Sequence, residues 1–264
     1  IRVIVSERNN AALQRPGFVW SALRRYAYAR AYGLVTMTQG AMNQFPPSMR
    51  RRHSVIPNPT YAPIELDPHR THGHTIVAVG RLVPQKGFDL LLKSFARVAD
   101  HIPQWSLVIW GEGPERAALE AQRDALGLRD RVAMPGVTQE HGGWLRGADI
   151  FVLSSRFEGW GIVIGEAMAA GVPTISFNCE WGPGEMIVDN VSGILVPHGD
   201  VAAMGEAIAV LCKDPERRAQ LSRAARIASM RFRIDSILGQ WEDAITDALA
   251  PAQPQAVPLK AAAA

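Results

Sequence analysis

The sequence predicts an α/β protein built on a Rossmann-like parallel sheet, and two observations carry that prediction. Between residues 74 and 211, short segments rich in valine and isoleucine alternate with segments of helical periodicity. The apolar segments lack the in-out alternation of a half-exposed sheet, which is typical of strands buried on both faces. Strands separated by helices of this length form βαβ units, so we expect a mostly parallel sheet covered by helices.

Each element of this region follows from its own pattern. The strands are predicted at residues 74–79, 105–110, 131–134, 150–154, 173–177 and 193–196. The helices are predicted at residues 89–101, 115–126, 162–170 and 201–211, followed by two final helices at 215–228 and 234–250.

The first part of the chain predicts a smaller, truncated α/β domain. Strands are expected at residues 1–5, 34–38 and 53–56, with a helix at 19–32 whose aromatic residues fit core packing. Because residues 1–5 resemble a buried strand, we expect the chain to begin inside a domain. Three prolines among residues 57–63 exclude helix and predict a linker. The predicted units are 1–58, 59–233, a helix at 234–250 and a disordered tail at 251–264.

The amino-acid composition predicts a soluble globular protein. Apolar residues make up 47% and charged residues 20%, as in ordinary soluble globular proteins. The longest apolar run, residues 162–175, is interrupted by glycines, a glutamate and a proline, so no segment approaches the ~20 residues that cross a bilayer. Two cysteines without a shared motif favour a reducing cytoplasm.

Charge gives a weaker indication of the partners. A formal net charge of +3 does not point to nucleic acid. The one dense basic run, residues 50–52, is interpreted as a solvated loop, with contact to anionic lipid headgroups at a membrane surface as the alternative.

A loop that follows the strand at 74–79 carries two cations. Gly80 and Gly87 frame Arg81 and Lys86, and a helix begins directly behind them. Ligands bind beyond the carboxyl ends of parallel strands, where this loop lies. An arginine fork engages two phosphate oxygens and a lysine supplies a compact charge, so the pair can hold a pyrophosphate. A solvent-exposed basic turn is the alternative interpretation.

A second group of residues follows the strand at 150–154. Glu158 precedes two glycines, and Glu166 lies about one turn into an apolar helix. The glycines let the backbone approach a ligand, and the helix N-terminus offers free N–H groups to a phosphate or a sugar hydroxyl. A carboxylate in apolar surroundings is costly unless it is paired, and a ribose diol would satisfy it. The alternative for Glu166 is a partly exposed helix residue.

Together these motifs resemble glycosyltransferase family 4. Glu158 and Glu166, eight residues apart, resemble its E-x7-E signature, residues 80–87 resemble its donor-phosphate motif, and residues 169–176 resemble its helix-to-strand turn. The resemblance covers residues 1–250 and implies a retaining hexosyltransferase of the GT-B fold, with two Rossmann-like domains. Residues 1–58 would then be the end of the acceptor domain, 59–233 the donor-binding domain, and 234–250 a bracing helix.

The resemblance also implies roles for individual residues. Arg81 and Lys86 would bind the diphosphate of a nucleotide-sugar, Glu166 the ribose, and Glu158 the transferred hexose. The implied donor-binding set is Gly80, Arg81, Lys86, Glu158, Gly159, Trp160, Gly161, Ile162 and Glu166, with Glu158, Arg81 and Lys86 as the catalytic residues. No metal is expected, because the sequence has no Asp-x-Asp and its histidines lack metal-ligand spacing. The implied chemistry is transfer to a glycan or lipid-linked acceptor in polysaccharide biosynthesis.

The loop at residues 178–185 resembles the Gly-Pro-x-Glu loop of members that use UDP-sugars. Since most of the acceptor domain is absent, we expect an incomplete chain with weak donor binding and little transfer. Two other functions stay open: a nucleotide-sugar epimerase or hydrolase of the same fold, and a non-catalytic nucleotide-sugar-binding subunit. The glycines at 111 and 113 resemble half of a dinucleotide fingerprint, but Pro114 favours a strand-to-helix turn.

Overall fold

Two parallel β-sheets organise the chain in a computed structural model, which describes residues 1–8, 17–50, 52–64, 66 and 73–250. The first sheet has the order β1-β2-β3, with strands Ile4–Glu7, Gly33–Thr36 and His53–Val55. Helix α1 (Phe18–Arg30) lies between β1 and β2, and a short helix α2 (Gln39–Asn43) follows β2. The three strands and α1 were expected from the sequence, whereas α2 was not.

The second sheet has six parallel strands in the order β6-β5-β4-β7-β8-β9. This order confirms the predicted Rossmann-like fold class. The chain builds outward from β4 in one direction and then returns to β7 on its other side, so the loops after β4 and β7 diverge from a switch point. The strands are β4 (Thr75–Val79), β5 (Ser106–Trp110), β6 (Val132–Gly136), β7 (Ile150–Leu153), β8 (Thr174–Phe177) and β9 (Ile194–Val196).

Helices cover both faces of the second sheet. The predicted helix at 89–101 is shorter than expected, because the α-helix ends at Ala96 and a 3₁₀ turn occupies Ala99–His101. One core contains Phe95, Leu107 and Leu211, and the opposite core contains Phe151 and Ile164. The helices are α3 (Phe88–Ala96), α4 (Arg116–Ala125), α5 (Ile162–Ala170), α6 (Pro183–Met186), α7 (Val201–Lys213), α8 (Pro215–Ser229) and α9 (Ile234–Leu249).

The last helix, α9, packs on the first sheet. Its Ile237 is buried against Val35 and Ile56, so the end of the chain returns to the beginning. By contrast, α1 has no buried residue, and its Trp20 and Tyr26 are 67% and 59% exposed. The expectation that these two aromatic residues belong to a core is therefore wrong.

Some predictions fall on residues beyond those described. The disordered tail predicted at 251–264 lies outside the described residues, as does Arg51 in the basic run. Across the described ranges, the helices are all too short or too polar to cross a membrane.

Alanine substitutions at Gly87 and Gly127 form a matched pair that tests how the loops after β4 and β7 pack. Both have a left-handed backbone, with φ of 63° and 70°. A Cβ at Gly87 would lie 2.1 Å from the carbonyl oxygen of Ser154, whereas a Cβ at Gly127 would meet nothing within 4 Å. Each alanine substitution pays the ~1 kcal/mol cost of a left-handed residue, and Gly87→Ala must also push the loops after β4 and β7 apart.

We therefore expect Gly87→Ala to lower the free energy of unfolding by about 2 kcal/mol more than Gly127→Ala. Urea denaturation of the two variants measures this difference. Equal losses would show that the Gly87 contact does not constrain the fold.

Candidate donor-binding site

The loop after β4 folds back on itself, so that Lys86 lies over Gly80, the first residue of the loop. Gly80 donates its backbone N–H to Trp110 O at 3.0 Å, which ties the loop to the end of β5. A Cβ at Gly80 would lie 3.3 Å from three carbons of the Lys86 side chain. The lysine stem therefore lies directly across Gly80, at the carboxyl end of the sheet, and a larger residue at position 80 would displace it.

The sequence expectation that Lys86 and Glu158 converge is met by their geometry. Lys86 Nζ donates to Glu158 Oε1 at 2.6 Å, although the residues are 72 positions apart. Glu158 is only 6% exposed, and Ser155 Oγ donates to the same oxygen at 2.7 Å. A buried carboxylate is tolerated because it has both a cation and a hydroxyl as partners.

Hydrogen bonds to main-chain carbonyl groups hold the two loops together around this ion pair. Gln85 Nε2 donates to Phe157 O at 3.0 Å, and Arg156 N donates to Gln85 O at 2.8 Å. Ser154 Oγ donates to Lys86 O at 2.9 Å. The loops after β4 and β7 therefore form one rigid floor, so the position of Lys86 depends on residues from both strands.

Arg81 and Arg156 differ in the partners they already have. Arg156 makes a bidentate pair with Asp89, with both contacts at 2.8 Å, which commits its guanidinium to the fold. Arg81 is exposed, and its guanidinium makes no hydrogen bond or ion pair within the described part of the chain. Of these two cations, Arg81 is the one whose charge is available to an anion.

Helix α5 begins next to this floor. Gly161, at its N-cap, has a left-handed φ of 85° and no side chain to cap the helix, so the N–H groups of residues 162 and 163 have no capping partner in α5. Ile162 is the first helical residue and is 45% exposed. The side chain of Trp160 is not accessible to a ligand, because its indole is buried edge-on against Phe232 at a ring distance of 5.0 Å.

Glu166 is a buried carboxylate with little to neutralise it. It is 7% exposed, and its nearest polar contact among the described residues is His141 Nε2, at 3.6 Å. That distance is too long for a hydrogen bond. Burial raises the pKa of Glu166 above its usual 4.5, and the nearby His141 offsets part of that rise. The site therefore holds an acceptor group that lacks a donor.

This raised pKa predicts how stability depends on pH. Because the folded state keeps its proton to a higher pH than the unfolded state, Glu166 lowers stability progressively as pH rises above about 4.5. Glu166→Gln has no proton to lose, so we expect its advantage in Tm over the parent chain to grow between pH 4 and pH 7. A constant difference in Tm across that range would contradict the assignment.

The loop after β8 forms a further wall of the site. Cys179 is buried, and burial together with the nearby Glu158 raises the pKa of its thiol to about 12. A Cβ at Gly182 would lie 2.5 Å from Trp160 O, so this loop packs on the glycine-rich turn before α5. The carboxylate of Glu185 is directed away from that turn, toward the first sheet.

Three residues of the site escaped prediction from the sequence. Ser155 follows a strand directly, and that position was a usable signal for a polar contact. Cys179 and His141 gave none, because their proximity to Glu158 and Glu166 arises only when distant loops meet. The glycines at 111 and 113 lie in the connection from β5 to α4, as the strand-to-helix interpretation expected. In the described part of the chain, no cluster of three or more His, Cys, Asp or Glu residues could hold a metal ion.

Comparison with known proteins shows the family to which this chain belongs. Residues 67–228 match the family described as glycosyl transferases group 1. The match covers more than half of the chain, which therefore belongs to that glycosyltransferase family.

Several curated relatives share this region. An exopolysaccharide phosphotransferase of Streptomyces coelicolor is 36% identical over 66% of this chain and 19% of its own length. The lipopolysaccharide core biosynthesis glycosyltransferase LpsD of Rhizobium meliloti is 37% identical over 66% of this chain and 47% of its own length. An uncharacterized glycosyltransferase of Haemophilus influenzae is 29% identical over 79% of this chain and 60% of its length. The chain thus spans only part of these relatives.

Solved structures share the fold at low identity. HepE of Anabaena, crystallised with UDP, superposes with a TM-score of 0.83 at 22% identity, over 93% of this chain and 72% of HepE. TarM of Staphylococcus aureus, crystallised with UDP and α-GlcNAc-glycerol, gives 0.80 at 22% identity, over 92% of this chain and 50% of TarM. These likenesses support the GT-B type of Rossmann-like fold.

Proposed function

We propose that this chain is the donor-binding part of a retaining, family 4-like hexosyltransferase that uses a UDP-sugar. The observation that carries the proposal is the pairing of Lys86 with Glu158 at the carboxyl edge of the second sheet. Arg81 lies in the same loop, and its guanidinium has no partner among the described residues. Glu166 adds a buried acceptor on the helix that begins at the same place. A protein that binds a nucleotide-sugar needs cationic side chains for the diphosphate and carboxylates that accept hydrogen bonds from the hydroxyl groups.

Each residue has a role in this proposal. Arg81 and Lys86 bind the diphosphate, while Glu166 accepts hydrogen bonds from the ribose hydroxyls. Glu158 faces the transferred hexose, near the backbone amides of residues 159–162. The choice of UDP is supported by the resemblance of the loop at 178–185 to that of UDP-sugar enzymes.

The proposed reaction is a front-face attack. The acceptor hydroxyl attacks the anomeric carbon on the face that the diphosphate leaves, and the departing phosphate oxygen takes the hydroxyl proton. Negative charge develops on the diphosphate, and Arg81, Lys86 and the N–H groups that begin α5 stabilise it. We propose that these groups act without a metal ion, so EDTA should leave UDP affinity unchanged.

The proposed domains follow the two sheets. Residues 1–58 are the end of an acceptor domain, 59–233 the donor-binding domain, and 234–250 the bracing helix, in keeping with the burial of Ile237 against Val35. We propose a glycan or lipid-linked acceptor in polysaccharide biosynthesis, as the names of the curated relatives suggest. Peripheral contact with the inner face of a membrane, from the cytoplasm, is part of the proposal, and Arg50 and Arg52 are the described members of the basic run that could make it.

Isothermal titration with UDP tests the proposal directly. Since this chain spans only part of the length of its relatives, we expect binding that is weaker than micromolar and little transfer by this chain. Sub-micromolar affinity would contradict the incomplete-chain part of the proposal. No binding of UDP at millimolar concentration would contradict the donor site itself.

A non-catalytic nucleotide-sugar-binding subunit is the second candidate, favoured by the partial coverage of the relatives. Incubation with UDP-sugars separates the possibilities by their products. Free sugar or an epimer formed without an acceptor would instead favour the hydrolase or epimerase. Binding without any product, in the presence of varied acceptors, would favour the subunit.

A further inference from the structure

Glu185 joins the second sheet to the first. Its carboxylate accepts a hydrogen bond from Gln39 N at 2.7 Å and another from Gly40 N at 2.9 Å. These two amides begin α2, directly after β2 of the first sheet. Because a carboxylate at a helix N-terminus meets both free N–H groups and the positive end of the helix dipole, each contact is strengthened by charge.

The contact is complementary in shape as well as in charge. Thr38 Oγ1 accepts from Ala41 N at 3.1 Å, so Thr38 and Glu185 together satisfy the first three amides of α2. A Cβ at Gly40 would lie 2.4 Å from a ring carbon of Trp181, so the indole packs flush on this glycine. Trp181 itself has a left-handed φ of 62°, which a bulky residue rarely adopts.

The loop that carries Glu185 is fixed at both ends. Arg231 Nη2 donates to Glu185 O at 2.7 Å and to Met186 O at 3.1 Å. At the other end, Gly182 packs on Trp160 O, beside the turn that precedes α5. A rigid path therefore runs from the proposed donor site to the first sheet.

The two segments that meet at Glu185 lie at the carboxyl ends of their strands. Helix α2, which contains Gln39, follows the carboxyl end of β2, and helix α6, which contains Glu185, follows the carboxyl end of β8. Their contact shows that the edges formed by the carboxyl ends of the two sheets meet here. Glu185 lies at the junction, with its acid already occupied by the first sheet.

We propose that Glu185 is a positioning residue that holds the first sheet at a fixed distance and angle from the donor site. Together with Trp181 and Gly40 it forms a junction that presents the acceptor side to the donor sugar. The role of the junction in transfer rests on the proposed reaction. The contact between the two sheets does not depend on that proposal.

Spin-label distance measurements test the junction in the full chain. Ser48→Cys reports on the first sheet and Lys93→Cys on the second, and both positions are exposed. Burial raises the pKa of the native Cys179 and Cys212 thiols to about 12, so neither should compete for the label. The doubly labelled parent chain should give one narrow distance distribution.

Two variants disturb the junction from opposite sides. Glu185→Gln keeps the shape but loses the charge and one acceptor, and Gly40→Ala forces a methyl group against Trp181. We expect each to broaden the distance distribution about twofold or more, with UDP affinity within about twofold of the parent. Glu180→Gln, an exposed acid in the same loop, should change neither.

The outcomes separate the two proposals. Narrow distributions in both junction variants would overturn the role of Glu185, and so would equal broadening by Glu180→Gln. A circular dichroism spectrum and a Tm for each variant show whether it has folded. If Glu185→Gln does not fold, the distance distribution of Gly40→Ala tests the junction instead. If the parent chain binds no UDP, the donor assignment fails while the distance data still decide the junction.

Discussion

Lys86→Ala should lower the affinity for UDP by about 10- to 100-fold. The ammonium group stands 2.6 Å from the Glu158 carboxylate, and its stem is held over Gly80, so it is already placed for a phosphate. A charge-assisted hydrogen bond contributes about 1.5–3 kcal/mol, which corresponds to that range of affinity. In a protein that retains the acceptor half, transfer should fall at least about a hundredfold, because the charge on the leaving diphosphate is greatest in the transition state.

The same substitution leaves Glu158 buried without its cation, so loss of folding must be separated from loss of binding. The double variant Lys86→Ala with Glu158→Gln removes the uncompensated charge and should recover Tm but not UDP affinity. Lys93→Ala removes an exposed lysine from α3 and serves as the matched control. If Lys86→Ala and Lys93→Ala bind UDP equally well, Lys86 does not contact the diphosphate.

Glu166→Ala should abolish the preference for a ribose diol. The buried carboxylate of Glu166 has no hydrogen-bond donor among the residues that the structure describes, so the parent chain should bind UDP about tenfold or more tightly than 2′,3′-dideoxy-UDP. The variant should bind both ligands with similar, weak affinity. Titration calorimetry with the two ligands measures the difference in each protein.

Comparing ligands within each protein cancels any general effect of the substitution on the fold. Glu206→Ala, which removes an exposed glutamate from α7, should retain the full preference for UDP. A preference that survives in Glu166→Ala would place the ribose elsewhere.

Local sequence was sufficient for much of the sheet and for the loops that carry the site. The helix at Ile162–Ala170 was predicted to the residue, because Gly161 and Gly171 bound a mostly apolar segment. Lys86 and Glu158 could be expected to meet because parallel strands bring the loops after them to one edge. That argument needs only the order of strands and helices along the chain.

What local sequence missed depends on contacts between distant segments. Helix α2 is five residues long and is completed by Glu185, which lies 145 positions from Gly40, so no periodic pattern announces it. Trp20 and Tyr26 were placed in a core because aromatic residues are usually buried, yet α1 exposes them. Local patterns show which residues are apolar but not which neighbours will cover them.

The glycine contacts around the donor site have a consequence for how such a protein can diversify. A Cβ at Gly111 would lie 1.9 Å from Gly80 O, just as one at Gly87 would lie 2.1 Å from Ser154 O. The three central loops therefore touch through main chain at these points, where side-chain identity has no influence. We expect that mutation elsewhere in the same loops can change the side chains that line the proposed site while this peptide scaffold stays in place. Selection is free to vary the ligand only as long as these glycines are kept.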